Sequence, residues 1–127
     1  MGYLIVFAGA GIGGAARHGV NLAAARMFGL GFPLGTLIVN VLGSFLMGFF
    51  AGYFAYRTGL PQHLRLFLTT GILGGFTTFS AFSLDAALLL ERHAYWPAAA
   101  YMLGSVILSL VGLFVGLSLF RTGAILP

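Results

Sequence analysis

Four long apolar stretches, at roughly residues 3–25, 33–56, 64–90 and 95–120, occupy most of this 127-residue chain. Each is near the ~20 residues that a helix rising ~1.5 Å per residue needs to cross the hydrocarbon core of a bilayer. Short segments separate them: Arg26, Gly29, Gly31 and Pro33, then Arg57, Thr58, Gly59 and Pro61, then Glu91, Arg92 and His93. These combine helix stops, interfacial charge and restarts. Charge is scarce everywhere else, with six arginines, two acids and no lysine making up 6% of the chain. An ordinary soluble domain carries ~25%, so too few polar groups are present to cover a water-facing surface and lipid must be the main solvent. The expected fold is all-α and integral to the membrane, with residues 1–127 forming a single domain of four transmembrane helices. Connections of ~5–8 residues make consecutive helices antiparallel neighbours in one bundle.

Several functions fall away on composition and motif. Without cysteine there is no disulfide, thiolate metal site or sulfur redox chemistry. The net charge of +4 comes from arginines scattered singly, which form no patch for nucleic acid. GAGIGG at Gly9 to Gly14 fits the dinucleotide-binding pattern, but that pattern needs an acid ~20 residues later, and the first acid of the chain is Asp85. Gly9 and Gly13 read instead as a small-residue face for close helix packing. MGYLIVFAGAG lacks a basic leader and is read as a retained first helix. His18, His63 and His93 fall at span ends, and no GxSxG or HExxH is present. An enzyme is not expected.

The arginines bear on orientation. With four spans, Arg57, Arg65 and Arg121 lie on one side of the membrane and Arg17, Arg26 and Arg92 on the other. A three-to-three balance removes the positive-inside bias. A chain inserted both ways can pair with its inverted copy, so an antiparallel, dual-topology homodimer is expected.

Polar residues inside the spans mark where function lies. Thr36, Asn40, Ser44, Gly48 and Gly52 recur every four residues and form one stripe on the second span. An unpaired Asn40 amide in hydrocarbon would cost several kcal/mol, so it serves either as interhelical glue or as the lining of a path. Tyr101, Ser105 and Ser109 form a similar stripe on the fourth span, continued by Gly112 and Gly116. The third span runs LTTGILGGFTTFSAFSLD, with Gly71, Gly74, Gly75, Thr77, Thr78, Ser80 and Ser83 near its middle. Paired glycines followed by β-branched residues weaken a helix and predict a break at its centre. Backbone groups freed there need protein, water or an ion. Carbonyls suit a cation and restarting N–H groups suit an anion. Phe79 and Phe82 follow the break on one helical face, and the positive edges of their rings can solvate a small anion.

GGFTTFSAFS at Gly74 to Ser83, VNVLGSF around Asn40, GGAAR at Gly13 to Arg17 and the YxxxSxxxS of Tyr101, Ser105 and Ser109 together resemble the small bacterial fluoride channels of the Fluc or CrcB family. The resemblance covers all four spans. It implies passive fluoride export across the bacterial inner membrane and an antiparallel homodimer with two pores along its interface. Phe79 and Phe82 would line the pore, Asn40 would donate its amide to fluoride, and Ser80, Tyr101, Ser105 and Ser109 would continue a hydroxyl track. Arg17 would sit at the aqueous vestibule. A structural sodium ion at the dimer centre would be held by the backbone carbonyls of Gly74 and Thr77, with no organic cofactor. Ala81 stands where members of the family often carry Thr or Ser, and Asp85 fits an acidic position of the family whose role is left open. Two other readings compete. A small proton-coupled multidrug exporter needs an embedded carboxylate, for which Asp85 is the one candidate. A non-transporting membrane scaffold leaves Asn40 and the broken span without a role.

Overall fold

The structure, a computed structural model, describes residues 1–56 and 59–121, without the side chain of Arg121. Arg57, Thr58 and the Arg121 side chain therefore lie outside the described residues, and the charge balance they enter stays a reading of the sequence. Among the described residues every regular element is helical: α1 (Gly2–Phe28), α2 (Leu34–Tyr56), α3 (Gln62–Arg65), a π-helical stretch (Leu66–Leu73), α4 (Gly74–Phe76), α5 (Phe79–Glu91) and α6 (Tyr95–Arg121). Three helical runs are long and apolar enough to cross a membrane: Leu34–Tyr56, Gln62–Glu91 and Tyr95–Phe120. They coincide with the second, third and fourth expected spans to within two residues. The 27 residues of α1 are not among them, because Arg17, His18, Asn21 and Arg26 interrupt its carboxyl half.

Small residues decide which helices touch. A Cβ built on Gly48 of α2 would strike the Leu113 carbonyl of α6, and one on Gly116 of α6 the Phe45 carbonyl of α2. Helix axes come this close only where the side chain is a hydrogen atom. The same device seats α1 on the first half of the third span. A Cβ on Gly9 would lie 2.8 Å from the Gly71 Cα, one on Gly75 2.5 Å from the Ala10 carbonyl oxygen, and one on Gly13 would meet the Ile72 carbonyl. The loop between α1 and α2 opens at Gly29, whose φ of 81° stops the helix. Across the bundle end, Arg92 Nη2 donates to the Gly31 carbonyl at 2.9 Å, tying this loop to the one between α5 and α6. A buried cluster of Ala86, Leu89, Ala98 and Tyr101 joins α5 to α6, with Phe32, Leu37 and Phe82 packed against it.

The third span departs from a regular helix twice. Leu66–Leu73 is wound as a π-helix, a wider turn closed by bonds to the fifth residue back and common near functional sites. The pattern of apolar residues does not predict it. The second departure is the break, which falls at Thr77 and Thr78, both extended, with ψ of 154° and 124°. Thr77 closes the first half by bonding the Leu73 carbonyl twice, through its N–H and its Oγ1, each at 3.0 Å. Thr78 opens the second half as the N-cap of α5, its Oγ1 accepting from the Ala81 N–H at 3.2 Å.

Candidate functional site

The break frees backbone groups in the middle of an apolar span, and side chains from two other helices come to meet them. The Asn40 side chain of α2 pairs with the backbone of Thr78, its Oδ1 accepting from Thr78 N–H at 2.9 Å and its Nδ2 donating to the Thr78 carbonyl at 3.0 Å. The Thr78 amide thus turns to Asn40 and away from the Gly74 carbonyl four residues back. From α1, Arg17 Nε donates to the Gly75 carbonyl at 3.3 Å. The Ala81 amide is held by Thr78 Oγ1, away from the Thr77 carbonyl.

Beside the break lies a cavity of about 280 Å³, lined by Asn40, Ser44, Thr77, Thr78, Phe79, Phe82, Ser105, Val106 and Ser109. Its lining is neutral, made of hydroxyls, one amide, two phenyl rings and one valine. Ser105 is buried to 5% exposure and its Oγ has no hydrogen-bond partner among the described residues. A buried hydroxyl left unpaired costs free energy, so this one is available to something that enters the cavity. Phe79 is 78% exposed and forms an open edge of the site.

Five of the residues named from the sequence therefore meet in one place: Asn40, Phe79, Phe82, Ser105 and Ser109. Thr77, named for its carbonyl, joins them. Tyr101 stands behind Phe82 instead of on the cavity wall, with ring centroids 5.3 Å apart. Together Phe79, Phe82, Tyr101 and Phe32 make a ladder of rings, the other two steps being 5.5 and 5.6 Å. The Tyr101 hydroxyl donates to Asp85 Oδ2 at 3.2 Å, which connects the ladder to a carboxylate whose role the sequence left open. Ser80 lies on an exposed surface with its Oγ 3.2 Å from Thr78 Oγ1. Gly74 is exposed at the break, and Arg17 reaches the Gly75 carbonyl from α1 and is not part of the cavity lining.

Sequence reasoning did not assign Ser44, Thr78 or Val106 to the site. Ser44 was visible in the stripe with Asn40, one turn away. Thr78 was visible only as a helix weakener, because its pairing with Asn40 spans 38 positions of sequence. Ala81 and Asp85 line a second cavity, with Asn21 and Thr36. The missing hydroxyl at Ala81 thus falls beside Asp85 and not in the cavity of the two phenylalanines.

Comparison with known proteins finds similarity over nearly the whole chain. A family described as CrcB-like protein, Camphor Resistance (CrcB), matches residues 4–117. The fluoride-specific ion channel FluC of Rhodopseudomonas palustris strain BisB5 is 60% identical over 121 residues, covering 95% of this chain and 98% of that protein. FluC of Methylobacterium nodulans is 61% identical over 118 residues, 93% of this chain and 94% of its own. FluC of Granulibacter bethesdensis is 62% identical over 122 residues, 96% of each chain. A family match over residues 4–117 and relatives sharing about three residues in five place the chain in the CrcB-like family.

Proposed function

We propose that the chain is a fluoride-specific ion channel, not an enzyme, that lets fluoride leave the cytoplasm down its electrochemical gradient. The observation that carries this reading is the neutral cavity at the helix break, with the unpartnered Ser105 hydroxyl and the Phe79 and Phe82 rings on its wall. Fluoride is small and tightly hydrated. A pore must replace its water with donors and positive ring edges while avoiding a full charge that would trap it. Ser105, Ser109 and Ser44 offer O–H groups. Asn40 offers the second N–H of its amide, the first being held by Thr78. A negative-inside potential drives the anion out with ~2.3 kcal/mol per 100 mV, so neither ATP nor proton exchange is required. Arg17 raises the anion concentration at the vestibule.

The working unit in this proposal is an antiparallel homodimer of four-span chains in the bacterial inner membrane. Three features support it. Read as four spans, the sequence balances its arginines three to three, Phe79 is left uncovered on the open side of the cavity, and α1, at ~1.5 Å per residue, is long enough to span. Sodium at the dimer centre is part of the same reading. The Gly74 and Thr77 carbonyls fit a hard cation, since the amides four residues on, Thr78 and Ala81, donate elsewhere. Bound there, sodium would neutralise carbonyl dipoles that face one another across the pair. The test is fluoride efflux from proteoliposomes containing only this protein. Efflux under a potassium diffusion potential, without proton coupling, is expected; release no faster than from empty vesicles overturns the reading.

A further inference from the structure

Arg17 makes a contact that attraction of anions does not call for. Its Nε–H is spent on the carbonyl of Gly75, 58 residues away, at 3.3 Å. That carbonyl belongs to the last turn before the break. In a continuous helix it would accept from the amide of Phe79, but Phe79 opens α5 after two extended residues. The first half of the third span thus ends inside the bundle, and its last carbonyls must find partners outside the helix. A side-chain donor at that end is stabilising because it satisfies a carbonyl that the helix itself leaves without a partner. Arg17 supplies one from a neighbouring helix. Its placement is fixed by backbone contact, since Gly9 and Gly13 of α1 lie directly on Gly71 and Ile72 and Ala10 lies on Gly75. With no side chain between the two backbones, the register of α1 on this segment sets the reach of Arg17.

We infer that Arg17 is a positioning residue, an external C-cap that holds the first half of the broken span through the Gly75 carbonyl and, with Asn40 on Thr78, fixes the break from both sides. The nitrogen that matters is Nε and the chemistry is hydrogen-bond donation, apart from whatever the guanidinium charge does for anions. The two roles separate by substitution. Gln carries an N–H donor at the same stem position as Arg Nε but no charge. Met fills the same length with no donor. Lys keeps the charge but places its nitrogen one atom further out.

The inference stands without the fluoride reading, because amide hydrogen exchange reads it in protein that has seen no fluoride. In the reconstituted full chain, Arg17→Met should speed exchange of the Thr77 and Thr78 amides by about tenfold, and Arg17→Gln should leave it near wild type. Fluoride flux should follow the opposite order for charge, with Arg17→Lys above Arg17→Gln. Equal exchange in Gln and Met, or unchanged exchange in Met, overturns the proposal. Should Arg17→Met fail to fold, the unsubstituted protein decides. Solid-state dipolar recoupling between 15Nε of Arg17 and the 13C carbonyl of Gly75 should show the coupling of a 3.3 Å nitrogen–oxygen contact, and absence of coupling overturns it.

Discussion

Asn40 and Thr78 hold each other as two strands of a sheet would, one side-chain amide matching one backbone amide, with N–H to oxygen contacts of 2.9 and 3.0 Å in both directions. The pairing explains how an extended residue survives inside an apolar span, where each orphan backbone group would cost several kcal/mol.

Asn40→Asp keeps the acceptor for Thr78 N–H but loses the donor for its carbonyl, and sets a negative charge on the cavity wall. Fluoride efflux should fall by more than about tenfold, and the protein should lose ~1–3 kcal/mol of stability. Flux and detergent unfolding of the same preparation read both; normal values for both would show that the Asn40 Nδ2 bond to the Thr78 carbonyl is not needed.

Replacing Phe79 and Phe82 together by Ile keeps apolar bulk and removes the ring edges. If the edges solvate the anion at ~1 kcal/mol or more each, efflux should be lost while the chain elutes from gel filtration as before. Undiminished flux would take both rings out of the pathway.

Ser105→Ala tests whether the unpartnered hydroxyl serves the ion. Removing an unsatisfied buried oxygen should leave stability unchanged or raise it by ~1 kcal/mol, while fluoride efflux drops. A loss of stability with intact flux would mark the serine as structural.

Glycines of one helix should respond unequally to a single methyl group. Gly13→Ala drives a Cβ into the Ile72 carbonyl, whereas around Gly11 nothing lies within 4 Å. The first should destabilise by ~2 kcal/mol or more, and the second should stabilise by up to ~1 kcal/mol through helix propensity. Thermal unfolding of the two variants in one detergent makes the comparison.

The positions of these features differed in how far they could be read from the sequence. Three of the expected spans were legible because hydropathy over twenty residues outweighs local detail, and the break was legible because Gly74, Gly75, Thr77 and Thr78 all disfavour a helix. The first span was harder, since Arg17, His18, Asn21 and Arg26 make half of it polar. The π-helical winding of Leu66–Leu73 was invisible, as the eight residues LFLTTGIL are too few for their apolar pattern to tell one helical period from another. Side-chain partners were invisible too. Asn40 plainly needed one, but nothing local pointed to the Thr78 backbone, and Arg17 looked like a free cation until α1 was laid on Gly75. Tyr101 and Ser80 shared spacing with the cavity residues, yet one lies behind Phe82 and the other on the surface, because spacing gives a face and not a depth.

The main-chain contact of Gly9, Gly13 and Ala10 with Gly71, Ile72 and Gly75 limits how this protein can change. A surface built of side chains can be trimmed, enlarged and traded across generations, each partner compensating for the other. Where backbone rests on backbone there is nothing left to remove, and every addition forces the helices apart. Room for substitution in α1 is therefore confined to its outward face, and the alignment of Arg17 with the break rests on Gly9, Gly13, Gly71 and Gly75, which have no side chain to trim.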